Sequence, residues 1–142
     1  MGGAERVVSE LANNFSTNKL KVFIILFSPN KPYFSLDPKI TLIHLPLSRS
    51  IIKRLFFIRK IIIVNGITTI ISFTTTINIY TILATLFTSK KVIISERTDP
   101  ITHKLNFIIF ILRKLLYRYA HKLVVQNKVQ FEYYLKKPNI IF

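Results

Sequence analysis

The residues best equipped for chemistry in this chain stand in one short run, Glu96-Arg97-Thr98-Asp99, directly after an apolar segment. Two of its six acids meet there with an arginine between them. One reading is a self-neutralising turn that caps the following helix. The other is the polar edge of a cleft that binds a hydroxylated or charged ligand. A second candidate lies at the start, where Gly2 and Gly3 precede Val7, Val8, Leu11, Ala12 and Phe15 at helical spacing. A glycine pair opening a helix lets backbone N–H groups approach an anion, a geometry that suits phosphate as well as a plain turn. The three histidines, His44, His103 and His121, match no metal-ligand spacing and read as structural or solvated groups. Neither a Walker phosphate loop nor a Gly-x-Ser-x-Gly elbow occurs.

Periodicity indicates how these groups are positioned, because it switches repeatedly between helix and short apolar strand. After the first helix, residues 21–27 form a continuous apolar run, residues 28–38 a loop with three prolines, and residues 40–45 a second strand ended by Pro46. A basic helix is expected from Ser50 to about Ile62 and a strand over Thr69–Phe73. A polar loop, Thr74-Thr75-Thr76-Ile77, then leads to a helix over Asn78–Thr88. Val92–Ser95 is the next strand, followed by a second basic helix from about Lys104 to Tyr119, a strand over Leu123–Val125, and a helix over Val129–Lys137. Asn139–Phe142 begins a last strand. Strands alternating with helices of this length predict crossover units, an α/β fold with a parallel sheet and helices on both faces. Ligands of such sheets sit beyond the carboxyl ends of the strands. Thr74, Thr75, Thr76, Asn78, Glu96, Arg97, Thr98, Asp99, Gln126 and Asn127 would share that rim.

Composition narrows the classes of partner. With 142 residues, half of them hydrophobic and none of them cysteine, the chain is one ordered domain's worth without disulfides or thiolate metal sites. Its 21 Lys and Arg give a net charge of +15, which must be solvated or meet something negative. The cations gather at Arg49, Lys53, Arg54, Arg59 and Lys60, and again at Arg113, Lys114, Arg118 and Lys122. Both groups are interleaved with Ile, Leu and Phe, as in helices that lie on an anionic membrane surface or, more plainly, as in the solvated faces of packed helices. Nucleic-acid binding has only the charge behind it, for aromatic platforms and Gly-rich loops are lacking. Residues 61–89 carry no charge, but Asn65-Gly66 and the run of threonines break them into strand, loop and helix rather than a membrane span. Without a signal-peptide pattern at the start, a cytoplasmic location is expected, peripheral to the membrane's cytoplasmic face.

Four segments in order and spacing resemble glycosyltransferase family 4. They are Gly2-Gly3-Ala4-Glu5-Arg6-Val7-Val8, Ile71-Ser72-Phe73 leading to Asn78-Ile79, Ile94-Ser95-Glu96-Arg97-Thr98-Asp99-Pro100, and Val124-Val125-Gln126-Asn127. The resemblance covers essentially the whole chain. It implies the N-terminal, acceptor-binding, Rossmann-like half of a GT-B fold, and retaining transfer of a sugar from a nucleotide-sugar donor to a saccharide or lipid-linked acceptor, with no cofactor. By the same resemblance, Gly2 and Gly3 would face the donor diphosphate, while Thr74, Thr75, Thr76, Asn78, Glu96, Arg97 and Asp99 would border the acceptor. Many members place a histidine near the sugar where this chain has Arg97, which leaves Arg97 and Glu96 as candidates without a fixed catalytic role. Met1 stands directly before Gly2, where the family has its first strand. A central strand with about four buried side chains contributes roughly 6–12 kcal/mol, against a domain's net stability of about 5–15 kcal/mol. Residues 1–142 are therefore expected to form a single incomplete domain, lacking the C-terminal donor-binding domain and inactive by itself.

Overall fold

The computed structural model describes residues 3–46, 48, 50–97 and 106–135, and the backbone of 140–141. The chain divides into two compact units, Met1–Arg54 and Leu55–Phe142. In the first, α1 (Gly3–Thr17) precedes two parallel strands, β1 (Phe23–Leu26) and β2 (Thr41–His44), paired from Phe23 opposite Thr41 to Leu26 opposite His44. The buried residues of α1 are Ser9, Ala12 and Ser16; of the other apolar residues that the spacing picks out, Val7, Val8 and Phe15 are half-buried and Leu11 is exposed. Polar tethers join the helix to the loop that follows β1. Glu5 accepts from the Tyr33 N–H at 2.9 Å, and Asn13 both donates to the Ser35 carbonyl at 3.0 Å and accepts from the Asp37 N–H at 2.8 Å. These bonds turn a small, polar face of the helix toward the proline-rich loop.

The helix α2 (Ile51–Val64) crosses the division between the units. The second unit continues with β3 (Thr69–Phe73), α3 (Thr75–Thr85), β4 (Lys91–Ser95), α4 (Phe107–Leu116) with a 3-10 turn at Tyr117–Tyr119, β5 (Lys122–Val124), α5 (Lys128–Tyr134) and β6 (Ile140–Ile141). Its sheet is parallel throughout, in the order β3-β4-β5-β6. One core packs the connecting helices on this sheet and gathers Ile79 and Ile82 of α3, Val92 and Ile94 of β4, Leu116, Tyr117, Leu123 and Tyr134. The strands thus fall into two small parallel sheets, where the sequence pattern predicts one. Among the described residues no helix is long and apolar enough to cross a membrane. The uncharged run 61–89 is divided among the end of α2, β3 and α3.

Helix ends account for several polar residues. α2 closes with Gly66 at φ 62°, while the N–H groups of Ile67 and Gly66 bond the Ile62 and Ile63 carbonyls, a glycine-ended cap that needs left-handed backbone. Arg59 reaches the Ala84 and Leu86 carbonyls at 3.2 and 3.0 Å, so its cation satisfies the last turn of α3. α1 ends in the same loop geometry as α2, with the Leu20 N–H on the Phe15 carbonyl, but the left-handed position holds Lys19 at φ 63°. An L side chain there costs about 1 kcal/mol. Lys19→Gly is therefore expected to stabilise the chain by about that amount, read as an upward shift of the urea midpoint at unchanged slope.

Candidate functional site

The sequence expectation of a loop over residues 74–77 is corrected by the structure, because α3 begins at Thr75 and only Thr74 separates it from β3. Thr74 takes φ 72°, unusual for a β-branched residue, while its N–H extends the sheet by bonding the Ser95 carbonyl at 3.2 Å. Its own carbonyl accepts from the Asn78 N–H at 2.9 Å, so the helix starts immediately. Thr75, Thr76 and Asn78 are therefore helical, and the tight turn carries them directly over the carboxyl ends of β3 and β4.

There a buried polar cluster forms. Glu96, the first residue beyond β4, is 0% exposed, and its backbone N–H bonds the Val124 carbonyl. Its carboxylate accepts from the Thr75 hydroxyl at 3.0 Å to each oxygen, from the Tyr117 hydroxyl at 2.6 Å and from the Arg97 N–H at 3.0 Å. Asn78, also 0% exposed, accepts from Ser72 Oγ at 2.8 Å and donates to the Ser95 carbonyl at 3.1 Å and the Tyr117 hydroxyl at 3.3 Å. Five side chains from β3, α3, the end of β4 and the 3-10 turn after α4 are thus joined through Tyr117. Burial, reinforced by the Glu96 charge and the hydrogen bond to it, pushes the Tyr117 hydroxyl well above its ordinary range, so that it stays a proton donor. Tyr134 is raised in the same way, by burial first and then by the Glu96 charge, and its ring stacks 6.2 Å from Tyr117.

Two arginines border this cluster. Arg97 is half-buried, its guanidinium 5.6 Å from the centre of the Phe73 ring, and its Nε is buried without a partner among the described residues. Arg113 is only 3% exposed and donates to the Tyr133 hydroxyl at 3.1 Å. Its cation lies 5.5–5.8 Å from the rings of Phe110, Tyr133 and Tyr134, so aromatic faces supply its attraction. At the next strand end, Asn127 Oδ1 accepts from the Gln130 N–H and Gln130 Oε1 accepts from the Gln126 N–H, a reciprocal cap that opens α5.

The structure thus brings together Thr74, Thr75, Asn78, Glu96 and Arg97. Thr75, Asn78 and Glu96 are buried in mutual hydrogen bonds, whereas Thr76 is exposed and Thr74 and Arg97 are half-buried. Gly3 is the first residue of α1, in the other unit, while Gly2, Thr98, Asp99 and His103 lie outside the described residues. Among the described residues no group of three or more His, Asp or Glu could hold a metal. His44 ends β2 with Nδ1 3.4 Å from the Ser28 carbonyl, and His121 Nδ1 accepts from the Val92 N–H at 3.2 Å. Sequence reading passed over Tyr117, which looks there like one more aromatic in a basic, apolar helix. The available signal was its spacing with Arg113, Leu116 and Ala120, which together mark the inner face. The molecule is a mixed α/β protein with parallel strands in small sheets and a buried polar cluster at the strand ends of its second unit. No protein-family model matches the chain, and no curated protein matches it.

The cluster makes a stability prediction with a definite sign. Because folding raises the Tyr117 value above the unfolded value of about 10, its contribution is complete below that pH and is lost as pH climbs beyond it. Tyr117→Phe is expected to lower stability at pH 8 by about 1–3 kcal/mol and to flatten the alkaline decline seen in the parent. Urea unfolding at pH 8 and above pH 10 checks both.

Proposed function

We propose that this chain is the N-terminal, acceptor-binding part of a retaining glycosyltransferase of the GT-B type, with a Rossmann-like organisation that its two small parallel sheets would contribute to. The observation that carries the reading is convergence. Segments far apart in sequence that resemble glycosyltransferase family 4, Ile71-Ser72-Phe73 with Asn78 and Ile94-Ser95-Glu96-Arg97, meet in one hydrogen-bonded cluster at adjacent strand ends. Strand ends of parallel sheets are where ligands bind. On this reading the buried Thr75, Asn78 and Glu96 set the rim's shape, and Thr74, Thr76 and Arg97, which keep some exposure, meet the acceptor's hydroxyls or its linking phosphate. Arg97 suits the phosphate, because its planar guanidinium offers paired donors.

The nucleotide-sugar donor would be held by a second domain, with Gly2 and Gly3 facing its diphosphate, so the 142-residue chain is expected to bind acceptor but not to transfer sugar. Saturation-transfer NMR against free oligosaccharides and a polyprenyl diphosphate-linked sugar measures the first property. Binding is expected to fall at least about tenfold, roughly 1.4 kcal/mol, in Arg97→Ala and Thr76→Val, with the parent's circular dichroism retained. Absence of binding across both probe classes, or sugar transfer by the purified chain, would contradict the proposal.

A further inference from the structure

The outer surface of the second unit carries a feature that the strand-end cluster does not use. α4 turns Arg113 and Leu116 inward, and Phe107, Ile111 and Leu115 stand exposed along its outer side. Lys114, also exposed, shares that side, since positions 107, 111, 114 and 115 fall on one helical stripe, and the exposed Arg118 follows in the 3-10 turn. Where α4 ends, Tyr119 carries the Arg118 cation 5.0 Å from its ring centre. Tyr119 borders a cavity of about 150 Å³ whose lining includes Phe87 and Lys90 of the turn between α3 and β4. Phe87 is 99% exposed and sits at φ 61°. A bulky side chain is thus held in left-handed backbone with its whole ring in water, beside the cavity that the exposed Tyr119 also lines.

Charge decides among the occupants. Residues 75–95 and 106–125, which build this surface, contain no acid, while Lys90, Lys91, Lys114, Arg118 and Lys122 lie within them. A second copy would bring another +15 against the same sign. A nucleic acid would meet the cations but leave Phe87, Phe107, Ile111 and Leu115 in water. An anionic bilayer satisfies both halves of the pattern, because apolar side chains enter the acyl boundary while lysines and arginines meet the lipid phosphates.

We infer that the outer face of α4 together with the Phe87 turn docks on an anionic phospholipid bilayer. Phe87, Phe107, Ile111 and Leu115 insert, and Lys90, Lys114 and Arg118 contact headgroups. The inference stands apart from the sugar-transfer reading, since it uses none of the strand-end residues. The test is flotation of the full chain with vesicles of phosphatidylcholine, alone or mixed with phosphatidylglycerol. The parent is expected to float with the mixed vesicles at least about tenfold better than with the neutral ones, and to be released by high salt. Phe87→Gly relieves the left-handed strain and so keeps the fold. It and the pair Lys114→Glu/Arg118→Glu are each expected to lose most of the bound fraction with circular dichroism unchanged. Equal flotation on neutral vesicles, no flotation, or full binding by both folded variants would overturn the inference. So would a dimer in sedimentation that buries this face, or preference for a short DNA duplex over the mixed vesicles that the same variants abolish.

Discussion

A carboxylate removed from water is tolerable only when donors surround it, and the second unit is arranged around that requirement. Glu96 sits wholly buried at the end of β4, where leaving it unpaired would cost several kcal/mol. The donors arrive from three directions: a helix start, a 3-10 turn and the adjoining backbone. Each fixes an element. Thr75 requires α3 to begin without a loop, Tyr117 sets how α4 and its 3-10 turn lie on the sheet, and Asn78 ties both to β3 through Ser72. The strained backbone at Thr74 fits the same constraint, since a longer and more relaxed connection would withdraw Thr75 from the carboxylate.

Around this centre the other polar groups in the second unit mostly close helix ends. Arg59 satisfies the end of α3, Gly66 that of α2, and Asn127 with Gln130 the start of α5. Among the described residues most of the remaining cations are exposed, while Arg97 is half-buried against Phe73 and Arg113 is buried on aromatic faces. Such a division keeps the parallel sheet's core largely apolar while the surface carries a net positive charge. The buried cluster and the basic exterior therefore have separate physical roles, one fixing the strand ends and the other governing what the surface can approach.

Much of the element order was legible because strands with no polar interruption, such as Thr69–Phe73, and helices with strong periodicity advertise their type locally. The start of α3 was not legible. Three consecutive threonines favour extended or loop backbone by propensity, and only the partner of Thr75, twenty-one residues away, makes helix the better choice. The helical spacing of α1 was legible too, but the bonds from Glu5 and Asn13 to the proline-rich loop, 28 and 24 residues away, were not. At the candidate site, Glu96, Arg97 and Asn78 stood out by type and position, whereas the role of Tyr117 depends on contacts with residues 21 and 39 positions away. No local pattern encodes such contacts.

The central claim is that Thr75 and Tyr117 act together through one buried carboxylate. A double-mutant cycle with Thr75→Val and Tyr117→Phe, measured by urea unfolding at pH 8, tests it directly. Groups that share a buried partner are expected to couple by at least about 1 kcal/mol, so the double variant should depart from the sum of the singles by that amount. Additivity within about 0.3 kcal/mol would show the two hydroxyls acting independently and would contradict the account.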